Sequence, residues 1–193
     1  MTEIAINDPA MVGRQKFERV ANDAYFTPTW CVDALLSRWI PVGTVWDHAA
    51  GNSAIVEVLG KAGLDVIASD INEYADIRCD IAISRHDFMT VAPPSGLFSI
   101  VTNPPYELAE EFIRRALKLT KPRRGSVAML LRHEFDCAKT RRDLFEADNF
   151  ARKIVLTKRP RWFSGTTTSP RHNFSWFVWD GMHRGPAILE YAP

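Results

Sequence analysis

The chain has 193 residues, of which 46% are hydrophobic and 24% charged, and its formal net charge is +1. This length favours one domain with a sizeable core, and the composition excludes disorder, collagen-like repeats and a coiled coil. The apolar runs are too short for a membrane span, and the first 20 residues lack the apolar core of a signal peptide. Three widely spaced cysteines exclude a disulfide framework and a Cys-x-x-Cys zinc site. We therefore expect a reduced, soluble, cytoplasmic protein.

The small net charge conceals an uneven distribution along the chain. Residues 1–100 carry 7 Lys and Arg against 13 Asp and Glu, a net charge of −6, whereas residues 101–193 carry 17 against 10, a net charge of +7. A basic half beside an acidic half indicates an anionic partner, with nucleic acid as the first candidate. Solvated helix faces explain the same charges equally well.

Short apolar runs alternate with helical patterns along the chain. Asp8 and Pro9 are typical of a helix start and predict a helix to about residue 21, and Thr27 with Pro28 predict a second helix through Trp39. Further helical patterns cover residues 53–62, 107–119 and 137–148. Strands are predicted at residues 44–48, 65–70, 98–103, 126–132, 152–157 and 173–179, with a weaker one within 77–83.

This alternation predicts an α/β fold with a mostly parallel sheet and helices on both faces. The last two predicted strands have no helix between them, which favours an antiparallel hairpin at one edge. Residues 1–20 are expected to form an N-terminal helix or tail. Residues 21–193 are expected to form a single domain that leaves no room for a separate target-recognition domain.

The first two strand ends carry signals for a ligand, because ligands bind beyond the carboxyl ends of parallel strands. Residues 46–53 read Trp-Asp-His-Ala-Ala-Gly-Asn-Ser, and the small residues before Asn52 let the backbone approach a ligand. A Gly-x-Gly-x-x-Gly fingerprint is absent, and a tight turn explains this stretch equally well. Asp70 lies 19 residues beyond Gly51, near the offset of about 20 at which a carboxylate binds ribose hydroxyls. Its alternative role is a helix N-cap.

Two further strand ends suggest recognition of a base. The Asp87 carboxylate could accept from an adenine amino group while Phe88 packs on the ring, although an ordinary turn explains this pair as well. Residues 99–106 read Ser-Ile-Val-Thr-Asn-Pro-Pro-Tyr, and the two prolines fix the backbone and remove two N–H donors. Carbonyl groups and the Asn103 side chain then present acceptors, and Tyr106 supplies a flat face. This arrangement suits a planar substrate with an exocyclic amino group.

In this order, the sequences Tyr25-Phe26-Thr27-Pro28, Asp47 to Gly51, Asp70, Asp87-Phe88 and Asn103-Pro104-Pro105-Tyr106 resemble the S-adenosylmethionine-dependent methyltransferases. The similarity is greatest to the DNA adenine-N6 branch and covers roughly residues 20–180. It implies a Rossmann-like class I methyltransferase domain whose seven-stranded sheet ends in a reversed hairpin. It also implies S-adenosylmethionine as cofactor and double-stranded DNA with a flipped adenine as substrate.

The resemblance assigns roles to individual residues. The cofactor-binding residues that it implies are Tyr25, Thr27, Pro28, Asp47, Ala49, Gly51, Asp70, Ile71, Asp87 and Phe88. Tyr25, Thr27, Pro28, Asp47 and Gly51 would border the methionine end of the cofactor, Asp70 the ribose, and Asp87 with Phe88 the adenine. The catalytic residues that it implies are Asn103, Pro104, Pro105 and Tyr106, of which Asn103, Pro104 and Tyr106 would hold the target base.

The loop at residues 158–172 combines cations with aromatic side chains. Arg159 and Arg161 can contact phosphates, and Trp162 or Phe163 can stack on an extruded base, where the resemblance also places an aromatic residue. The alternative is that both aromatic side chains pack beneath the loop. The five histidines show no metal-ligand spacing, so no metal is expected.

Two positions depart from the family pattern, and three alternative functions remain open. His48 stands where the first glycine-rich motif of the family has proline, and Ser53 where it has a second glycine. Both departures favour a non-catalytic nucleic-acid-binding module with a degenerate cofactor site, whereas the intact Asn103 motif favours an enzyme. The same tetrapeptide also suits an amino group in RNA or a protein glutamine amide.

Overall fold

The apolar runs of the sequence form the strands of one eight-stranded sheet. The structure is a computed structural model and describes residues 26–162 and 171–193, so the predicted helix at residues 8–21, Tyr25 and Phe163 lie outside the described residues. The strands are β1 (Thr44–Asp47), β2 (Val66–Asp70), β3 (Ile83–Arg85), β4 (Phe98–Thr102), β5 (Ser126–Arg132), β6 (Phe150–Leu156), β7 (Phe174–Asp180) and β8 (Ile188–Ala192). The α-helices are α1 (Thr29–Leu36), α2 (Ala54–Lys61), α3 (Ala109–Thr120) and α4 (Arg142–Phe145).

The strand order places a ligand crevice at the centre of the sheet. The order is β3-β2-β1-β4-β5-β7-β6-β8, and β7 runs antiparallel to both of its neighbours while the other pairs are parallel. Trp46 of β1 is in register with Ile67 of β2 on one side and with Ile100 of β4 on the other. The order of the strands reverses between β1 and β4, and in open α/β sheets this point is where ligands bind.

Helices cover both faces of the sheet, as the alternation predicts. Strand β4 is buried along its whole length. Val101 packs in the cluster that contains Leu35 of α1, and Ile100 packs in the opposite cluster with Ile113 of α3. A central parallel strand must be apolar on both faces, which explains the unbroken apolar run in the sequence. No helix in the described part of the chain is long and apolar enough to cross a membrane.

Four predicted features differ from the structure. The weaker strand predicted within residues 77–83 lies instead at Ile83–Arg85. The sheet has eight strands and not seven, because β8 lies at the edge beside β6, and the antiparallel pair β6–β7 is therefore not at the edge. Most of β8 is exposed, so it lacks the alternating burial that reveals a strand. The helix predicted at residues 137–148 forms only short 3-10 turns and the four-residue α4, in which Leu144 alone is fully buried. One buried residue supplies too little apolar surface to hold a long helix.

Candidate active site

A cavity of about 350 Å³ opens at the carboxyl ends of β1, β2 and β4. This volume is in the range of sites for small ligands. The residues that line it are Phe26, His48, Ala49, Gly51, Asp70, Ile71, Asn72, Tyr74, Asp87, Phe88, Met89, Asn103, Pro105, Leu108 and Phe112. A smaller cavity of about 20 Å³ shares some of these residues and adds others, and its lining is Phe26, Thr27, Ala49, Ala50, Gly51, Asn52, Ala54, Ile55 and Asn103.

The Asp70 carboxylate organises the turn at the base of the cavity. Its Oδ2 accepts the Gly51 N–H at 2.9 Å, and its Oδ1 accepts the Asn72 N–H at 2.8 Å. Burial raises the pKa of Asp70, and these backbone donors oppose the rise. No helix follows Asp70 directly, so it is not a helix N-cap. Each oxygen has a second lone pair, so the carboxylate can also accept from a ligand hydroxyl.

The backbone conformation at position 51 favours glycine. Gly51 has a φ of +53°, which residues with a side chain rarely adopt. A Cβ at this position would lie 3.4 Å from Cδ1 of Phe26. The glycine therefore permits the left-handed turn in which its N–H is directed at Asp70.

Asp47 lies at the end of β1 and is fully buried. Its Oδ1 accepts the Ala49 N–H at 3.3 Å, and its Oδ2 has no hydrogen-bond partner among the described residues. Burial raises the pKa of Asp47 to about 7, and the nearby Thr102 hydroxyl offsets only part of that rise. Because Asp47 lines neither cavity, it supports the turn from beneath.

His48 forms part of the cavity wall and is only 2% exposed. Its ring stacks on Phe88 with centroids 3.5 Å apart and an interplanar angle of 14°. Neither ring nitrogen has a hydrogen-bond partner within the described ranges. Burial lowers the pKa of His48 to about 3, and the Arg115 charge adds to the effect, so the imidazole is neutral at pH 7.

Phe88 and Asp87 are held by a turn that also faces the cavity. Asp87 Oδ1 accepts the Met89 N–H at 2.8 Å. This hydrogen bond is the one expected for an ordinary turn, which was the alternative to adenine recognition by Asp87. The guanidinium carbon of Arg115 lies 5.4 Å from the centroid of the Phe88 ring. Arg115 also donates to the carbonyl groups of Phe88 and of Val91, the latter at 2.6 Å. These contacts fix the aromatic wall of the cavity.

The Asn-Pro-Pro-Tyr sequence leaves the end of β4 and enters the cavity. Asn103 and Pro105 line it, whereas Pro104 is buried. Tyr106 begins a 3-10 turn that leads into α3. Its ring meets that of Trp162 with centroids 6.3 Å apart and that of Phe174 at 5.7 Å. The loop that follows β6 is thereby placed beside the predicted catalytic residues.

Trp162 is half-buried, and its ring packs edge-on against Phe174 with centroids 4.9 Å apart. This contact agrees with the alternative in which the aromatic side chain packs beneath the loop. Arg159 and Arg161 are exposed, and Arg159 Nε donates to Asn173 Oδ1 at 2.8 Å. A nucleic-acid role for these three residues stays a prediction.

Most of the cofactor-binding residues predicted from the sequence come together here. Ala49, Gly51, Asp70, Ile71, Asp87 and Phe88 line the larger cavity, and Thr27 lines the smaller one. Pro28 lines neither cavity. It is the residue just before α1, and its carbonyl accepts the Cys31 N–H at 2.9 Å. The cavity residues that were not predicted are Phe26, His48, Asn72, Tyr74, Met89, Leu108 and Phe112. Phe26 and His48 lie within recognised motifs, whereas Asn72 and Tyr74 carry no sequence signal.

Across residues 26–162 and 171–193, no group of three or more His, Cys, Asp or Glu side chains is placed to hold a metal ion. No family model and no curated protein matches the sequence.

The fold is similar to solved structures of methyltransferases at low sequence identity. A Listeria monocytogenes protein described as a class I S-adenosylmethionine-dependent methyltransferase has a TM-score of 0.54 and 16% identity over 85% of this chain and 62% of its own. The 23S rRNA methyltransferase ErmE has a TM-score of 0.56 and 18% identity over 84% and 69%. The M protein of the type I restriction enzyme EcoKI has a TM-score of 0.56 and 14% identity over 81% and 44%.

These comparisons define the class of fold. The sheet order, the reversed β7 and the three structural likenesses identify the Rossmann-like fold of the class I S-adenosylmethionine-dependent methyltransferases. The chain spans less than two thirds of the Listeria protein and less than half of the EcoKI M protein. The fold prediction from the sequence is confirmed, apart from the number of strands and the position of the hairpin.

Proposed function

We propose that this chain transfers a methyl group from S-adenosylmethionine to the exocyclic N6 amine of adenine in DNA. The observation that carries the proposal is the position of Asn103-Pro104-Pro105-Tyr106 at the end of the central strand β4. Asn103 and Pro105 line the same cavity as Gly51 and Asp70. The predicted base-holding group and the predicted cofactor-binding turn therefore share one cavity.

The cavity suits the cofactor chemically. S-adenosylmethionine supplies an activated methyl group on its sulfonium sulfur, and it carries a ribose diol and an adenine ring. The Asp70 oxygens can accept from ribose hydroxyls. Ile71, which is 55% exposed, gives an apolar face for a ring beside the carboxylate. Ser53 lines neither cavity, so this departure from the family pattern does not obstruct the site.

Asn103 and Pro104 are proposed to activate the target amine. The N6 lone pair of adenine is delocalised into the ring, which makes the amine a poor nucleophile. Hydrogen bonds from N6–H to the Asn103 side-chain oxygen and the Pro104 carbonyl favour a tetrahedral nitrogen whose lone pair points at the methyl group. The same acceptors stabilise the positive charge that develops on nitrogen as S-adenosylhomocysteine leaves, and the methylated amine then releases one N–H proton to water. Holding the two reactants together supplies the proximity term.

A nucleic-acid substrate is favoured by the charges near Tyr106. Arg159 and Arg161 are exposed, and they lie in the same segment as Trp162, whose ring contacts that of Tyr106. Exposed arginines can bind phosphates while an adenine is flipped out of the duplex toward an aromatic face. The EcoKI M protein belongs to a restriction enzyme and ErmE acts on 23S rRNA, so both DNA and RNA deserve a direct test.

The decisive experiment offers the purified chain methyl-labelled S-adenosylmethionine with unmethylated duplex DNA, with RNA and with protein. The expected product is N6-methyladenine in DNA, identified by mass spectrometry of digested nucleosides. If the label is found in RNA or in a glutamine amide of the protein, that molecule and not DNA is the substrate. Cofactor binding without transfer to any of them would favour the non-catalytic module.

Asn103→Ala tests the role of the motif. Loss of one well-placed acceptor in the transition state is expected to cost about 3 kcal/mol, a decrease of about 10²-fold in rate. The affinity for S-adenosylmethionine, measured by calorimetry, should stay within about twofold of the wild-type value. Single-turnover transfer by the variant at a near wild-type rate would refute the catalytic assignment.

A further inference from the structure

Ser53 has a backbone conformation that suits glycine better than serine. Its φ is +64° and its ψ is 20°, and the residue is fully buried. Within the described part of the chain it is one of two non-glycine residues with a positive φ, the other being Arg124. A residue with a side chain in this region costs free energy, so the side chain must serve a purpose that glycine cannot.

The Ser53 hydroxyl makes a contact that glycine would lose. Its Oγ accepts the Arg78 N–H at 3.0 Å and donates to the Asn52 carbonyl at 2.6 Å. The Arg78 N–H also donates to the Asn52 carbonyl, at 3.1 Å. A distant segment of the chain is thereby joined to the turn that contains Gly51.

The Arg78 side chain reinforces this attachment. Its Nε lies 2.7 Å from Glu57 Oε2, on the first turn of α2. The other carboxylate oxygen of Glu57 binds Lys61 Nζ at 2.6 Å, and both partners lower the pKa of Glu57. The backbone and the guanidinium of Arg78 are therefore both held at the start of α2.

The attached segment forms one wall of the cavity. Residues 71–82 connect β2 to β3 without a helix or a strand of their own. Ile71, Asn72 and Tyr74 of this segment line the cavity, and the Tyr74 ring meets Phe26 edge-on at 5.6 Å. A segment without a hydrogen-bond ladder depends on contacts with its surroundings for its position.

Contacts at several points hold this segment, and they include the Tyr74–Phe26 ring contact and the Glu73–Arg85 ion pair. The Asp70–Asn72 hydrogen bond fixes its beginning, and Cys79 and Ile81 pack against the buried Val56 cluster near its end. The contacts of Arg78 hold its middle. Tyr74 lies between Asn72 and Arg78 in the chain, so its position depends on the contacts of both residues and on its own contact with Phe26.

We propose that Ser53 and Arg78 are positioning residues that fix the 71–82 segment against the glycine turn and so shape the wall on which the cofactor binds. The identity of the ligand, S-adenosylmethionine, rests on the proposed function. The contact with Arg78 then compensates the strained backbone of Ser53.

Ser53→Gly and Ser53→Ala separate positioning from folding. Glycine relieves the backbone and removes the hydroxyl, so the urea midpoint should stay equal or rise while the Kd for S-adenosylmethionine increases about 3- to 10-fold. Alanine keeps the strained backbone and removes the hydroxyl, so the midpoint should fall while the Kd increases to the same extent. Tryptic cleavage after Arg78, relative to cleavage after Arg184, should be several-fold faster in both variants.

Lys61→Ala is the matched control, because it removes the other partner of Glu57 and leaves the Arg78 contacts in place. Its Kd and its cleavage after Arg78 should equal those of the wild type. The inference is overturned if Ser53→Gly binds S-adenosylmethionine and is cleaved after Arg78 as the wild type is. A wild-type chain that binds no S-adenosylmethionine would contradict the proposed function, and cleavage after Arg78 would then decide this inference alone.

Discussion

Replacing Asp47 by Asn should change how the stability of the protein depends on pH. In the folded chain burial raises the pKa of this carboxyl from 3.8 to about 7, so the folded state holds a proton that the unfolded state releases. The stabilisation associated with the raised pKa is fully present below pH 3.8 and is lost as the pH rises through 7. Asn has no charge, so the variant lacks this loss.

The magnitude follows from the size of the shift. Each pH unit between the two pKa values contributes about 1.4 kcal/mol, so the whole shift costs the wild type about 4 kcal/mol above pH 7. At pH 5 the cost is only about 2 kcal/mol. The difference in free energy of unfolding between Asp47→Asn and the wild type should therefore increase by about 3 kcal/mol in favour of the variant from pH 5 to pH 8.

Urea unfolding of both proteins at half-unit steps from pH 5 to pH 8 measures this difference. The trend with pH is the quantity of interest, because the Asn amide adds a packing and hydrogen-bonding cost that does not vary with pH. Asp65→Asn, which changes an exposed carboxylate just before β2 that accepts the Thr44 hydroxyl at 2.7 Å, serves as the surface comparison. A difference between Asp47→Asn and wild type that stays constant within about 0.5 kcal/mol would refute the reasoning.

Three further changes test the site. His48→Phe keeps the stack on Phe88 and removes two buried nitrogens without partners, so stability at pH 7 should rise by about 1–2 kcal/mol. The stabilisation associated with the lowered His48 pKa is present in the wild type above pH 6.5 and is lost as the pH falls. In urea unfolding, the stability of His48→Phe relative to the wild type should therefore be larger at pH 5 than at pH 7 by about 2 kcal/mol. An equal difference at both pH values would contradict this reasoning. Gly51→Ala should lose about 1–2 kcal/mol in thermal or urea unfolding and also bind S-adenosylmethionine less tightly. Arg159→Ala should lower the salt slope of DNA binding by about 1, whereas Arg123→Ala, at the opposite end of the strands, should leave it unchanged; equal slopes would place the phosphate contacts elsewhere.

The central part of the fold was predictable because its signals are local. Strand β4 is buried on both faces, and a continuous apolar run between polar turns is the direct consequence. Helix α3 is amphipathic over its length, so its periodicity identified it. Strand β8 was missed because its pairing with β6 depends on contacts that are distant in sequence, and most of its side chains are exposed. No local pattern records such a pairing.

The candidate site divides in the same way. Gly51, Asp70 and Asn103 could be identified from the sequence, because residue type and spacing along the chain carry the chemistry of the turn and the strand end. The burial of the Asp47 carboxyl and the attachment of Arg78 to Ser53 were decided by the tertiary structure alone. Burial and hydrogen bonding in both cases depend on which distant segments pack together, and these long-range contacts determine the pKa of Asp47 and the position of the cavity wall.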